Sequence, residues 1–296
     1  MRNSAIQTRP LVRLWLILSA LVGLLAGCSG AGSHLVNGLT PSDGYVETHD
    51  IAYGAGPRRM LDVYSPAGLA SGAKAPVVVF FFGGSWRTGS KSDYRFVADA
   101  LTSRGIVTVI ADYRLYPGTS YPGFLDDTAA AVAWTFREID AYGGDPKRIF
   151  IAGHSAGAYN AAMVAFDSRW LARYGIELAS LRGFVGLAGP YNFLPIKDEG
   201  VKQVFDWPDT PPDSQPINHV THASIPSLLI AAKNDSFVNP EMNTERMAER
   251  LRAAGAEVTV DMHAGVNHVT LVAAMSRALR ALAPVAKEFT DFVLTH

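Results

Sequence analysis

The sequence predicts an α/β fold, with a mainly parallel central sheet flanked by helices, over residues 45–296. Two continuous apolar runs rich in β-branched residues, at 75–82 and 106–113, are typical of strands that are buried on both faces of a sheet. Helical segments alternate with such runs along the rest of the chain, which favours a parallel sheet. The first two predicted strands, 45–53 and 61–66, have no helix between them and indicate an antiparallel edge.

The remaining elements continue this alternation from residue 92 onward. A helix closed by Gly105 is expected over 92–105, and a longer helix that begins at Asp126 is expected over 126–144. The later predicted elements are a strand at 148–153, a helix from 156, strands at 181–189 and 226–232, a helix over 240–254, a strand at 256–263 and a terminal helix from about 271. The unbroken alternation predicts one domain.

The first 28 residues differ in composition from the rest of the chain. Three arginines, Arg2, Arg9 and Arg13, precede an apolar run at 14–27. The run is shorter than the roughly 20 residues that a membrane-spanning helix needs. This pattern favours a secretory signal peptide over a permanent transmembrane anchor, and residues 1–27 are predicted to be that signal peptide.

The apolar run ends in the sequence LAGC at 25–28, which resembles the lipobox of bacterial lipoproteins. In that family the chain is cleaved before the cysteine, and lipid is attached to the cysteine sulfur. Cys28 is the only cysteine in the chain, so no intramolecular disulfide explains its presence. The resemblance implies a lipid-anchored protein of the bacterial cell envelope, and Ser29 favours the outer membrane over the inner. Residues 28–44, rich in Gly and Ser, are predicted to be a flexible tether.

The charge and composition of the chain exclude several classes of partner. The formal net charge is −1, with no basic stripe, so no nucleic-acid partner is predicted. The sequence contains no cluster with metal-ligand spacing and no glycine-rich nucleotide-binding pattern, so it predicts no metal and no cofactor. Nothing in the sequence indicates a protein partner.

The segment Gly153-His154-Ser155-Ala156-Gly157 joins a predicted strand to a predicted helix. A serine at such a turn, with glycine two residues away on each side, is typical of a nucleophile elbow. The turn forces the serine into a strained conformation, and larger neighbours would collide. The helix N-terminus offers N–H groups and a positive dipole end to a developing oxyanion. The alternative is a serine that only caps the helix; the strand–turn–helix context favours the nucleophile.

A nucleophilic serine needs a base and an acid, and on this architecture the acid precedes the histidine along the chain. Asp235 follows the apolar strand 226–232 and is the predicted acid, with Asp261, inside a strand, as the weaker candidate. His268 is the predicted base, because it lies a few residues past a strand end, where a loop can carry it over the serine. The alternative base, His263, is still at the strand end, where the sheet is expected to fix its side chain.

A glycine-rich loop follows the strand at 75–82. Gly83-Gly84-Ser85 lies in the region that should bring a backbone N–H to the oxyanion, since glycine lets main chain approach a ligand closely. An ordinary Gly-Gly strand exit is the alternative. Trp86 and His154 are predicted to shape the substrate pocket.

Taken together, these motifs resemble those of the α/β-hydrolases, in particular the carboxylesterase and hormone-sensitive-lipase-like group, over nearly all of residues 45–296. FFGGSW at 81–86 resembles that group's H-G-G-G-W oxyanion motif, and ADYRLYP at 111–117 its Y-R-L-x-P segment. YGGDPKRIFIAGHSAGA at 142–158 is similar to its elbow region, and NDSFV at 234–238 to its acid loop. GGSWRTGSK and YGGDPKRI are also similar to the isoprenylcysteine methylesterase and kynurenine formamidase branches.

The resemblance implies an α/β-hydrolase fold with a short cap insertion. It also implies an oxyanion hole formed by the backbones of Gly84, Ser85 and Ala156. Two positions depart from the family motif, since Phe82 stands where the motif has His and Ser85 where it has its last Gly. Phe82 is therefore expected to brace the loop by packing.

Ser155, Asp235 and His268 imply a serine hydrolase that cleaves carboxylic esters of small to medium acyl groups through an acyl-enzyme. The substrate is expected to be a small-molecule ester, and the membrane is reached only through the lipid anchor. The segment between the strands at 181–189 and 226–232 is short and Pro-rich, which argues against a large lid. An arylformamidase or a carbohydrate deacetylase is the alternative on the same scaffold. A non-catalytic surface lipoprotein that binds a partner is the remote alternative.

Overall fold

The computed structural model describes residues 36–70, 72–221 and 225–296. The predicted signal peptide and Cys28 lie outside the described residues. Across the described ranges, none of the helices combines the length and the apolar character that crossing a membrane requires.

The described chain builds one eight-stranded sheet. Its strands are β1 (Tyr45–Ala52), β2 (Met60–Pro66), β3 (Ala75–Phe81), β4 (Val107–Ala111), β5 (Gly144–His154), β6 (Leu181–Leu187), β7 (Ser227–Ala232) and β8 (Val258–His263). They lie in the order β1-β2-β4-β3-β5-β6-β7-β8. β2 pairs antiparallel with β1 and with β4, and the other neighbours pair in parallel. The predicted mainly parallel sheet with an antiparallel edge is therefore confirmed.

Helices cover both faces of the sheet. They are α1 (Arg95–Thr102), α2 (Gly123–Glu138), α3 (Ala156–Phe166), α4 (Ser168–Ala172), α5 (Glu199–Val204), α6 (Arg246–Ala253), α7 (His268–Ala273) and α8 (Val285–Thr295). Buried side chains of α2, α3 and α6 share one apolar cluster with the sheet, and those of α1, α7 and α8 share the other. α3 is buried along its whole length, as expected of a helix that is apolar on every side.

Strand β3 shows why the apolar runs of the sequence are continuous. Val77, Val79 and Phe81 belong to the cluster on one face of the sheet, and Val78 and Phe80 to the cluster on the other. Successive side chains of a strand point to opposite faces. Since helices cover both faces, every position of the strand is buried and favours an apolar residue.

The helix predicted over 126–144 has different ends in the structure. α2 starts directly after Pro122, whose carbonyl already accepts the N–H of Leu125 at 2.8 Å. It ends earlier than predicted, because the chain tightens into a 3-10 turn (Ile139–Tyr142) before Gly143 takes a left-handed conformation with φ of 81°. The end of the helical segment at Gly143 could be predicted from the sequence, whereas the change from α-helix to 3-10 helix could not.

The C-terminal third also departs from the predicted helices. The helix predicted over 240–254 opens with a π-helical turn (Glu241–Glu245) before α6. The terminal helix predicted from about 271 is two helices, α7 and α8, separated by a stretch of turns that ends at Pro284. Proline cannot donate the N–H that a continuing helix needs, so it starts the second helix and does not extend the first.

The last part of the predicted tether packs on the domain. Val36 is buried in the apolar cluster beside α1, and the side-chain oxygen of Asn37 accepts the N–H of Phe96 in the first turn of that helix at 3.2 Å. In the structure residues 36–40, which belong to the predicted tether 28–44, are therefore in contact with the domain through Val36, Asn37 and Thr40.

The turn between β5 and α3 brings stretches of main chain into close contact. Ser155 has a positive φ of 53°, with ψ of −122°. A Cβ at Gly153 would overlap the main chain of Gly157. A Cβ at Gly157 would overlap the carbonyl group of Phe81 and lie 2.5 Å from the carbonyl oxygen of Phe82. Both glycines are therefore needed for α3 to start directly against the ends of β3 and β5.

We expect Gly157→Ala to lower the free energy of unfolding by about 3 kcal/mol, the upper end of the usual cost of overpacking, because the new methyl group meets main chain that cannot rotate away. Urea denaturation of the purified protein measures the change. Gly38→Ala is the matched control, since nothing lies within 4 Å of a Cβ at Gly38, and it should change the free energy of unfolding by less than about 0.5 kcal/mol. Equal stability of Gly157→Ala and the parent protein would contradict this account of the turn.

Candidate active site

Three side chains at the carboxyl ends of parallel strands form one hydrogen-bonded chain. The Nε2 atom of His268 lies 2.8 Å from the Oγ atom of Ser155, and its Nδ1 atom lies 2.7 Å from Oδ2 of Asp235. Ser155 follows β5, Asp235 follows β7, and His268 follows β8 as the first residue of α7. The structure thus brings the predicted nucleophile, acid and base within direct hydrogen-bonding distance.

The carboxylate of Asp235 is held in its charged form behind the imidazole. Its second oxygen, Oδ1, accepts the backbone N–H groups of Phe237 and Val238, both at 2.9 Å. Burial alone would raise the pKa of Asp235, but the hydrogen bond and charge of His268, together with these two N–H groups, lower it below its ordinary value. An ionised carboxylate accepts the Nδ1 proton of His268 and so leaves Nε2 free to take a proton from Ser155.

The start of α7 fixes the backbone that carries His268. The side-chain oxygen of Asn267 accepts the N–H groups of Val269 at 3.0 Å and Thr270 at 2.9 Å. In return, the hydroxyl of Thr270 accepts the N–H of Asn267 at 2.8 Å. This reciprocal cap satisfies N–H groups that a helix start leaves unpaired, so the imidazole is carried on a braced turn.

The other histidine and acid that the sequence offered are placed differently. The Nε2 atom of His263, at the end of β8, lies 2.8 Å from Oε2 of Glu288 in α8. Asp261 lies on β8 in register with Ile230 of β7. In the described part of the chain neither is hydrogen-bonded to Ser155. Over the same residues, no three His, Cys, Asp or Glu side chains are grouped so that they could hold a metal ion.

The loop after β3 has a strained backbone. Gly84, Ser85 and Trp86 have positive φ angles of 134°, 53° and 58°, a conformation that residues with a side chain rarely adopt. Gly83 lies so close to the nucleophile that a Cβ there would be 3.0 Å from the Cβ of Ser155. The strain therefore occurs where the loop turns its main chain toward the serine.

Three backbone N–H groups of the site have no acceptor among the described residues. They are the predicted oxyanion donors, those of Gly84, Ser85 and Ala156. Ala156 begins α3, and the positive dipole end of that helix adds to the attraction for a negative charge. N–H groups that are fixed in place before the reaction can stabilise an oxyanion as it develops.

Phe82 holds the oxyanion loop through its ring and its carbonyl group. The ring is buried and stacks on Tyr113, with centroids 4.5 Å apart and an interplanar angle of 17°. The hydroxyl of Tyr113 also donates to the carbonyl oxygen of Phe82 at 2.8 Å. Phe82, which stands where the family motif has a histidine, thus supports the loop through ring packing. The hydrogen bond from Tyr113 to its carbonyl oxygen adds to this support.

The sequence predicts His154 as a pocket residue, but the structure buries it behind the site, with 5% of its surface exposed. Its Nε2 atom lies 3.0 Å from the backbone carbonyl oxygen of His268 and must be the protonated nitrogen, because a carbonyl can only accept. Its Nδ1 atom then accepts the hydroxyl proton of Tyr94 at 2.9 Å. The oxygen of Tyr94 in turn accepts the N–H of Gly83 at 3.2 Å. One buried chain of hydrogen bonds therefore joins the oxyanion loop, the elbow and the backbone of His268.

Trp86, the other predicted pocket residue, is also buried, with 2% of its surface exposed. Its indole N–H donates to the side-chain oxygen of Asn160 at 2.9 Å. Its ring lies 5.1 Å from that of Tyr159 in α3 and 4.8 Å from that of Phe205, centroid to centroid. Trp86 thus forms part of the wall behind the site and supports the loop through packing.

Two side-chain amides accept hydrogen bonds from the main chain of the cap segment, residues 190–221, one from outside the segment and one from within it. Oδ1 of Asn243 accepts the backbone N–H groups of Tyr191 at 2.7 Å and Asn192 at 2.8 Å. Oε1 of Gln215 accepts the N–H of Phe193 at 2.8 Å. The part of the cap that follows β6 is therefore held by hydrogen bonds to its main chain.

Sequence reasoning missed Tyr94, Asn243 and Phe237. No sequence pattern near Tyr94 or Asn243 indicates their roles, because each is hydrogen-bonded to a residue more than 50 positions away in the sequence. Phe237 lies two residues after the predicted acid, in the segment likened to the acid loop, so its closeness to Asp235 could have been inferred.

The buried His154 should make the stability of the protein depend on pH. Burial, with a smaller effect of the neighbouring His268, lowers the pKa of His154 from 6.5 to about 3. The unfolded chain binds a proton at this residue near pH 6.5 and the folded chain does not, so the free energy of unfolding should fall as pH drops below about 6.5. In His154→Gln the fall between pH 7 and pH 5 should be smaller by about 2 kcal/mol. Urea denaturation at both pH values measures it, and equal falls in variant and parent would contradict a neutral His154.

Several known proteins are similar to this chain in sequence. Residues 61–251 match the BD-FAE family. A probable isoprenylcysteine alpha-carbonyl methylesterase of Arabidopsis thaliana is 29% identical over 243 residues, which cover 75% of this chain and 50% of that protein. The esterase LipC of Mycobacterium tuberculosis is 30% identical over 228 residues, which cover 71% of this chain and 56% of that esterase. The chain thus spans about half the length of the curated relatives it matches.

Solved structures share the fold. The apo form of Thermogutta terrifontis esterase 2 has a TM-score of 0.71 at 21% identity, covering 86% of this chain and 96% of that one. A truncated carbohydrate esterase from gut microbiota has a TM-score of 0.70 at 18% identity, covering 86% of this chain and 98% of that one. With the sheet order and the turn at Ser155, these structures confirm the α/β-hydrolase fold. Because the family match extends over more than half of the sequence, this protein belongs to the BD-FAE family.

Proposed function

We propose that this protein hydrolyses carboxylic esters through a covalent acyl-enzyme formed on Ser155. The observation that carries the proposal is the hydrogen-bonded chain from Ser155 through His268 to Asp235, with unpaired backbone N–H groups beside the serine. The names of the relatives, which include methylesterase and esterase, support the same reaction. The substrate is a small-molecule ester.

The geometry leads to a two-step reaction. Ser155 attacks the ester carbonyl carbon while Nε2 of His268 takes the hydroxyl proton, and Asp235 stabilises the resulting imidazolium. The carbonyl oxygen becomes an oxyanion, which accepts hydrogen bonds from the oxyanion loop and from Ala156. The intermediate collapses as His268 gives the proton to the departing alcohol, which leaves the acyl group on Ser155. Water then attacks the acyl carbon while His268 takes one of its protons. The second intermediate collapses as the bond to the Oγ atom of Ser155 breaks, His268 returns the proton to that oxygen, and the acid is released.

The proposed substrates carry small to medium acyl groups. Phe193 and Phe205 of the cap segment pack against Trp86, with ring centroids 6.3 and 4.8 Å away. This packing fills the space behind the oxyanion loop with aromatic rings. A short cap that is fastened by side-chain amides supports a compact acyl site more than a broad lipase-like lid.

The proposed location is the bacterial cell envelope, with the protein held by lipid on Cys28. The lipobox-like sequence at 25–28 and the arginines before the apolar run support it, and Ser29 favours the outer membrane. Val36 is the first described residue and is packed on the domain.

Loss of any triad member should remove activity on p-nitrophenyl acetate. Ser155→Ala should abolish turnover and keep the parent stability, because it removes one hydroxyl group. His268→Ala and Asp235→Asn should each lower kcat by about 10³-fold or more. His263→Ala is the matched control, since its imidazole is bound to Glu288, and it should keep the parent kcat.

A fluorophosphonate probe provides an independent readout, because it reacts only with an activated serine. The parent protein should be labelled and Ser155→Ala should not. An unlabelled parent protein would favour the non-catalytic surface lipoprotein instead. Loss of activity in His263→Ala with normal activity in His268→Ala would reverse the assignment of the base.

The lipid anchor should determine location and leave turnover unchanged. Cys28→Ala, expressed with a secretory signal that lacks a lipobox, should give a soluble enzyme with the parent kcat on water-soluble esters, because the anchor lies outside the triad and the oxyanion loop. The parent protein should fractionate with membranes and enter the detergent phase, since several acyl chains hold a protein stably at a bilayer. A parent protein found wholly soluble in the periplasm would contradict the anchor.

A further inference from the structure

One exposed aromatic ring borders the catalytic residues. Phe237 is 78% exposed, the highest fraction among the large apolar side chains exposed in the described chain. Its ring centroid lies 5.4 Å from that of the His268 imidazole, at an interplanar angle of 39°. Its backbone N–H is bound to Asp235 at 2.9 Å. The turn that holds Asp235 therefore also places the exposed ring of Phe237 beside His268.

The position of this ring indicates which part of a substrate it meets. In the proposed reaction His268 returns its proton to the departing alcohol, so the alcohol part of the ester must lie against the imidazole. A ring in contact with that imidazole therefore borders the alcohol side of the site. The carbonyl oxygen of the substrate is directed toward the N–H groups of the oxyanion loop.

We propose that Phe237 is the alcohol-binding surface of the site and that the preferred substrates are esters whose alcohol carries an aromatic or extended apolar group. The inference rests on the proposed esterase function. Covering an exposed ring with an apolar group of the substrate makes the binding free energy more favourable. The effect is larger when the group is itself an aromatic ring that packs edge-to-face or offset. Since the backbone of Phe237 is already fixed to Asp235, little further ordering is needed when a substrate covers the ring.

Two acetates of different alcohols separate this role from a general effect on catalysis. Benzyl acetate and ethyl acetate form the same acetyl-enzyme, so their reactions differ only in substrate binding and in acylation. The ratio kcat/KM reports on these steps. Phe237→Ala should lower kcat/KM for benzyl acetate about three- to tenfold more than it lowers the value for ethyl acetate. Phe237→Tyr, which keeps the ring, should behave as the parent. Tyr174→Ala removes another exposed ring, in the turn after α4, and should change neither value.

The outcomes distinguish the inference from the function on which it rests. Equal losses on the two acetates would mean that Phe237 acts through the turn of Asp235, and this would overturn the inference. A parent-like value of Phe237→Ala for benzyl acetate would overturn it as well. If the parent protein hydrolyses neither acetate and a fluorophosphonate leaves Ser155 unlabelled, the proposed function itself fails, and the inference fails with it.

Discussion

The close approach of α3 to the ends of two strands is the constraint on which the site depends. Because Gly157 has no Cβ, the first turn of the helix rests directly on the carbonyl groups of Phe81 and Phe82. Phe81 is paired in register with Gly153 on the neighbouring strand, so the nucleophile and the oxyanion loop leave the sheet side by side. The positive φ of Ser155 follows from this geometry, since the chain must reverse from strand to helix within one residue.

A second constraint is the neutral imidazole of His154. Its two nitrogens have opposite roles, one donating to the backbone of His268 and the other accepting from Tyr94. A carboxylate at this position could accept from the tyrosine, but it could not donate to a carbonyl oxygen. Neutral histidine therefore suits a buried position between a hydroxyl donor and a carbonyl acceptor, and it does so without placing a charge beside the catalytic base.

The sequence allowed the sheet and the three hydrogen-bonded side chains of the candidate site to be predicted, because both leave local patterns. Continuous apolar runs mark strands buried on two faces, and the glycines around Ser155 mark the sharp turn. The role of Tyr94 left no such pattern, since its partner His154 lies 60 residues away. The burial of Trp86 and the packing of Val36 likewise depend on distant segments of the chain. Helix ends were missed where the helix type changes, which propensity and periodicity do not report.

The two amides that bind the main chain of the cap segment lie apart from the hydrogen-bonded chain of Ser155, His268 and Asp235. Asn243 lies on the π-helical turn before α6, and Gln215 lies within the cap itself. Within the described residues, neither side chain is hydrogen-bonded to Ser155, Asp235 or His268. A change at either one would alter the main chain of the cap segment, whereas the hydrogen bonds among Ser155, His268 and Asp235 involve neither residue. The fold can therefore acquire new specificities through residues that the reaction itself does not use, which is a route by which a family can diversify without losing activity on the way.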